Sequence, residues 1–128
     1  MTIREYLEEC ILLLTVSPIA EHFQVVKRRE TETDGYLRIC VTLTDEGLLE
    51  ISLYCKWINE VARLIEYRFH WQDKNGKLVK RWDNANHHPG LKTFPCHLHI
   101  GDDENVKESD SMDLWKVFQV MESEIVEK

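Results

Sequence analysis

Four of the six histidines in this 128-residue chain fall in one short stretch, at His87, His88, His97 and His99. The stretch begins Trp82-Asp83-Asn84-Ala85-Asn86-His87-His88-Pro89 and closes Thr93-Phe94-Pro95-Cys96-His97-Leu98-His99. Imidazole is the side chain whose ordinary pKa lies nearest neutral pH, so such a cluster can move protons or hold a metal ion. Its prolines and asparagines break any regular pattern, so it reads as a loop, the usual place for function on a rigid scaffold.

Two chemistries fit these residues. The first is cleavage of RNA without a metal. Attack of a ribose 2′-OH on its phosphate needs a base, an acid and cations for the developing charge. Glu50, Glu66 and His70 are candidate bases, Arg68 and Arg81 candidate phosphate forks, and the loop histidines candidate acids. The competing reading is a salt-bridge ladder on a solvated sheet face. The second chemistry is a metal site. On an extended segment His97 and His99 point the same way, with His87 and His88 within reach. Asp83, Cys96 and Asp102 are possible added ligands. The spacing HHx8HxH matches no established metal motif, so a hydrogen-bonded histidine cluster competes with it.

The elements that must position these groups follow from periodicity. Ile3, Leu7, Cys10, Ile11 and Leu14 form one stripe, which predicts a helix over 3–15 ended by Ser17-Pro18. Phe23, Val25 and Val26 suggest a first strand. Alternating apolar residues then mark strands over 36–44, 48–57, 61–72 and 77–83. The breaks between these four read as hairpin turns. Closing them by the pairs Leu43–Leu49, Trp57–Val61 and Gln72–Lys77 puts the apolar residues on one face. The other face then carries the row Thr42–Glu50–Arg68–Arg81, flanked by Cys40–Ser52–Glu66–Asp83 and Thr44–Leu48–His70–Val79. The histidine loop leaves directly from Asp83 and can fold over this face. Residues 102–110 read as a polar linker. Ser111 or Asp110 can cap a last helix with the stripe Leu114, Phe118, Met121 and Ile125. The expected fold is a single α+β domain over 1–128: an N-terminal helix, a five-stranded antiparallel meander, the histidine-rich loop and a C-terminal helix.

Net charge is −7, which argues against a generic nucleic-acid binder. The charge is uneven, however. Residues 61–100 hold seven Lys/Arg against three Asp/Glu, while residues 101–128 hold three against nine. A basic, histidine-rich middle between acidic flanks can still guide a polyanion. The four cysteines stand apart, with no CxxC pair, so they suggest neither a zinc ribbon nor a disulfide framework. The one apolar run, Cys10 to Leu14, is too short to span a bilayer, and no signal peptide is seen, so a cytoplasmic protein without a membrane partner is expected.

Several blocks carry a resemblance. Asp34-Gly35-Tyr36-Leu37-Arg38, Leu48-Leu49-Glu50-Ile51-Ser52, Tyr67-Arg68-Phe69-His70-Trp71-Gln72-Asp73, Arg81-Trp82-Asp83-Asn84-Ala85 and His87-His88-Pro89 followed by Thr93-Phe94-Pro95 resemble the TumE family. These are small toxins of bacterial and archaeal toxin–antitoxin systems. The resemblance implies a growth-inhibiting toxin neutralised by a small antitoxin from an adjacent gene. Carried over from it, the residues of interest are Glu50, Arg68, His70, Arg81, Asp83, Asn84, His87, His88 and His97. Cys96 stands where many relatives have histidine, which argues against an essential acid or base at that position.

Together these readings give an expectation: a type II toxin acting on RNA or translation without a tightly bound cofactor. Arg68, His70, Arg81, Asp83, His87, His88 and His97 would be its catalytic groups, and Glu50, Asn84 and His99 would contact substrate. No metal ligand is assigned, the partner is a cognate antitoxin protein, and a homodimer is left open. The alternatives are a non-catalytic module that binds protein or nucleic acid, and a metal-dependent hydrolase built on the histidines.

Overall fold

The first helix starts where its capping chemistry allows. Thr2 Oγ1 accepts from Glu5 N–H at 3.1 Å while the Glu5 carboxylate accepts from Thr2 N–H, a reciprocal capping box. From there α1 runs Ile3–Val16 and buries Ile3, Tyr6, Leu7, Cys10 and Leu14. The computed structural model describes residues 1–86 and 88–126. Seven strands follow: β1 (Ala20–Glu30), β2 (Asp34–Leu43), β3 (Leu48–Ile58), β4 (Val61–Gln72), β5 (Leu78–Asp83), β6 (His97–Ile100) and β7 (Asp102–Glu108). The chain ends its described part in α2 (Leu114–Val126).

All seven strands form one antiparallel sheet in the order of the chain. The α+β class and both helices are as expected, but the sheet has seven strands rather than five. The two extra strands are His97–Ile100 and Asp102–Glu108. The second is a run of charged residues, read from sequence as a linker. It sits at the sheet edge, where charged side chains guard against pairing with other chains and no apolar alternation is needed. Gly101, at φ 69°, makes the tight turn between them.

One face of the sheet is apolar. Leu37, Ile39, Val41 and Leu43, then Leu49, Ile51, Leu53 and Cys55, then Tyr67, Phe69 and Trp71 are buried with Trp82. Both helices supply the rest of this core: α2 adds Leu114, Val117, Phe118 and Met121. Asp113, not Ser111 or Asp110, caps α2, accepting from Lys116 N–H at 2.8 Å. Gly35 lets α1 approach: a Cβ there would lie 2.7 Å from Ile3 Cγ2. Cys10 and Cys55 are buried in this core, and all four cysteines are free thiols. No described helix is long and apolar enough to cross a membrane.

The face assignment of the strands holds, but the register slides by two residues at each hairpin. Val41 pairs with Leu49, Glu50 with His70, and His70 with Arg81. The reasons are local. The first turn closes tighter, with Leu43 N–H bonded to Gly47 O and Glu46 at φ 72°. The second is a two-residue turn, Asn59-Glu60, with both φ positive, followed by a bulge that leaves Ile65 unpaired. That bulge also takes Ile65 and Val61 out of the core-facing set, where Ala62 and Leu64 stand instead. The third carries an irregularity between Trp71 and Gln72. Side-chain direction repeats every two residues, so apolar alternation detects a one-residue slip and is blind to a two-residue slide.

Candidate active site

The corrected register builds two polar rows across the open face. One reads Cys40–Glu50–His70–Arg81–His99, the other Arg38–Ser52–Arg68–Asp83–His97. The expected neighbours Arg68 and Arg81 are therefore in different rows, and Glu50 faces His70 rather than Arg68. Strand β6, absent from the expected sheet, brings His97 and His99 beside Asp83 and Arg81.

Asp83 is the centre of this arrangement. It is 7% exposed, with His97 at 1% and His99 at 4%. His97 Nε2 lies 2.7 Å from Asp83 Oδ1, and His99 Nε2 lies 3.7 Å from Asp83 Oδ2. Arg81 Nε approaches Asp83 Oδ2 at 3.4 Å. Among the described residues neither His97 Nε2 nor Arg81 Nε has a hydrogen-bond partner, so the 2.7 Å approach is close in distance but off the required angle. Arg81 turns its Nη1 outward instead, to Asp103 Oδ1 at 2.6 Å. Ala85 N–H donates to Asp83 Oδ1 at 3.1 Å.

Both imidazoles are oriented by backbone. His97 Nδ1 donates to Pro95 O at 2.9 Å, and His99 Nδ1 donates to Asp103 O at 2.7 Å. The ring of His88 packs edge-on against both, with centroids 4.7 Å from His97 and 5.8 Å from His99. Burial lowers the pKa of His99, and nearby Arg81 and His97 push it the same way against the Asp103 carbonyl and Asp83. His87 lies outside the described residues.

The loop between β5 and β6 is pinned at its far end. The Thr93 hydroxyl donates to Cys96 O at 2.8 Å and accepts from Ser109 N–H at 3.1 Å. Asn84 anchors the near end. Its Nδ2 donates to Ile65 O and its Oδ1 accepts from Tyr67 N–H, so the amide stands in for a strand residue across the β4 bulge.

Loop and sheet enclose a cleft of about 710 Å³. Arg68, Arg81, Asp83 and His99 line it together with Asn84, Asn86 and Pro95 from the loop side. Tyr36 and Tyr54 supply aromatic surface. Glu50 lines a smaller adjoining recess with Arg38, Ser52 and Arg68. Neither Glu50 nor His70 is among the residues that line the main cleft. His70 is half-buried, one pair further along the ladder, and contacts Gln72 Oε1 at 3.2 Å. Of the two arginines in the cleft Arg68 is the more loosely attached: its one ion pair among the described residues, to Glu50, is 3.9 Å long, with both side chains about half exposed.

Sequence reasoning missed Asp103 and Asn84's structural bonds. Asp103 sits in the strand taken for a linker, and only the Gly101 turn after alternating His97-Leu98-His99-Ile100 signalled a hairpin there.

Neither a curated protein nor a solved structure matches the chain. A family model described as Toxin TumE matches residues 7–128, which span the sheet, the histidine loop and both helices. The chain belongs to the TumE toxin family.

Proposed function

We propose that this toxin acts on RNA in the cleft between the polar sheet face and the histidine loop, and that a protein antitoxin of a type II system silences it by covering that cleft. The observation that carries the reading is the cleft itself. Its volume of about 710 Å³ lies in the range that takes a nucleotide-sized ligand. Its wall offers what a single-stranded RNA needs: a loosely held guanidinium for phosphate at Arg68, and aromatic rings for bases at Tyr36 and Tyr54. Asp83 and His99 stand at the same wall, with His97 packed against Asp83, and can serve proton transfer during phosphodiester cleavage. In this reading Arg68 and Arg81 hold phosphate, Asp83 and His99 face the reacting atoms with His88 and His97 packed against them, and Asn84 frames the substrate. His70 and Glu50 tune the charge of Arg68 and Arg81 from the adjoining ladder. The toxin works in the cytoplasm, where its target RNA is found; a homodimer is compatible with the same cleft.

The test is inducible expression of the wild type and of Arg68→Ala, with growth and total RNA followed together. Arrest with fragmented RNA for the wild type, relieved in the variant, is the expected result. Arrest with intact RNA removes the ribonuclease and leaves an inhibitor that binds the translation machinery without cutting. No arrest by the wild type removes the toxin mechanism and favours a binding module.

A further inference from the structure

The paired histidines on β6 present an electrostatic problem when taken with their carbonyl partners. A carbonyl oxygen only accepts, so the nitrogen bonded to it must carry the proton. His97 Nδ1–H is committed to Pro95 O, and His99 Nδ1–H to Asp103 O. In the neutral ring the other nitrogen, Nε2, is then a bare lone pair. Both Nε2 atoms face the Asp83 carboxylate, itself electron-rich, at 2.7 and 3.7 Å. His97 Nε2 is fully buried there and has no hydrogen-bond partner among the described residues. The Arg81 guanidinium stands 3.4 Å from Asp83 Oδ2, but at Oδ1 the His97 lone pair meets the carboxylate at 2.7 Å, a repulsion that a cation bound by both would relieve.

Backbone-oriented imidazoles with Nε2 directed inward are how proteins hold transition metals. The outer Nδ1–H bond fixes the tautomer and aims the ligating nitrogen. His88 completes the set: one ring nitrogen from each of His88, His97 and His99 lies within 4.8 Å of the others. Zn–N bonds of about 2.1 Å at tetrahedral angles place nitrogens roughly 3.4 Å apart. The three rings therefore close by roughly an ångström or more on an ion, and His88 stands on irregular loop, where a ring turn does not disturb a strand.

We propose that His88, His97 and His99, with the Asp83 carboxylate, bind one divalent transition ion of the zinc class. The donor set of three imidazoles and one carboxylate suits zinc, cobalt or nickel better than magnesium or calcium, which prefer oxygen. His99 also lines the cleft, so the ion sits at its wall, next to the guanidiniums of Arg68 and Arg81. There it faces a bound phosphodiester and can polarise its oxygen or a water. The metal-free reaction expected from sequence gives way in this proposal to the metal-assisted alternative. The ion-binding claim itself does not rest on RNA being the substrate.

The experiment uses the purified full chain, freed of metal by chelator and titrated with Co²⁺ and then Zn²⁺. The expected result is one Co²⁺ per chain with the visible absorption of a four-coordinate site, bleached when Zn²⁺ displaces it. His88→Ala, a half-buried loop residue, should weaken binding at least about tenfold. Its circular dichroism should stay that of the wild type. His99→Ala should do the same, and His22→Ala, on exposed β1, should bind as the wild type does. The proposal is overturned if the wild type takes up no stoichiometric ion, or if folded His88→Ala and His99→Ala bind it undiminished. Stoichiometric binding without RNA cleavage would sustain the site and remove only the ribonuclease.

Discussion

His97 and Asp83 are direct cross-strand partners, yet their 2.7 Å approach is not a hydrogen bond. With its Nδ1–H given to Pro95 O, the neutral His97 ring turns a lone pair toward the carboxylate, which the proposed ion would bind. Asp83→Asn tests this, because an amide can donate to that nitrogen, a bond worth about 1 kcal/mol, but is a poor ligand. The metal proposal predicts that, in chelator, Asp83→Asn is at least as stable to urea as the wild type while losing its Co²⁺ spectrum. A loss of about 3 kcal/mol with the Co²⁺ spectrum intact would count against the ion at this carboxylate.

Arg68 is predicted to matter for activity and hardly at all for folding. Its side chain is half exposed and its pair with Glu50 is long, so its net contribution to stability is small. A charge-assisted bond to phosphate is worth about 1.5–3 kcal/mol, so Arg68→Ala should lower RNA affinity or cleavage roughly 10- to 100-fold. Its thermal midpoint should stay within a degree or two of wild type. Filter binding with a short RNA and a melting curve measure the two effects separately.

Stability should fall as the solution turns mildly acidic, and His70 should account for part of the fall. Burial, then the charge of Arg68, lowers the His70 pKa, with Arg81 adding to them; Gln72 and Glu50 oppose. The folded chain thus takes up the proton less readily than the unfolded one, whose histidine titrates near 6.5. The contribution of His70 is whole above that pH and is lost as pH falls through the lower folded value. His70→Gln keeps a polar partner for Gln72 without the titration. Urea midpoints between pH 7.5 and 5 should drop less steeply in that variant than in the wild type.

The turn between β3 and β4 is under conformational strain at a residue with no need to be there. Glu60 holds φ 64°, a left-handed conformation that costs a side-chain-bearing residue about 1 kcal/mol or more. Glycine is the favoured residue at the second position of such two-residue turns. Glu60→Gly should raise stability by about 0.5–1 kcal/mol, offset in part by the greater freedom of glycine in the unfolded chain. Calorimetry should show the midpoint rising by a few degrees.

These residues also show where sequence reasoning reaches and where it stops. Alternation placed Glu50, Arg68, His70, Arg81 and Asp83 on one open face, because burial of the opposite face fixes parity. It left undetermined which of them are neighbours, because turn closure and bulges at Ile65 and Trp71 act below the resolution of a period-two pattern. His97 and His99 were legible as an extended pair, but not their partnership with Asp83. That depends on β6 joining the sheet, and β6 is held on one side by a strand of charged residues with no apolar signal. Asn84 looked like a substrate contact, and only the bulge it spans gives its amide a structural task.

Because the sheet is ordered as the chain is, each described strand pairs through its backbone only with those just before and after it. Synthesis delivers the N-terminal strands first. The barren part of the open face is therefore laid down early, and the groups gathered around Asp83 meet only when β6 has emerged and closed on β5. A chain abandoned by the ribosome before residue 97 therefore has most of the scaffold but none of the β6 histidines that close on Asp83.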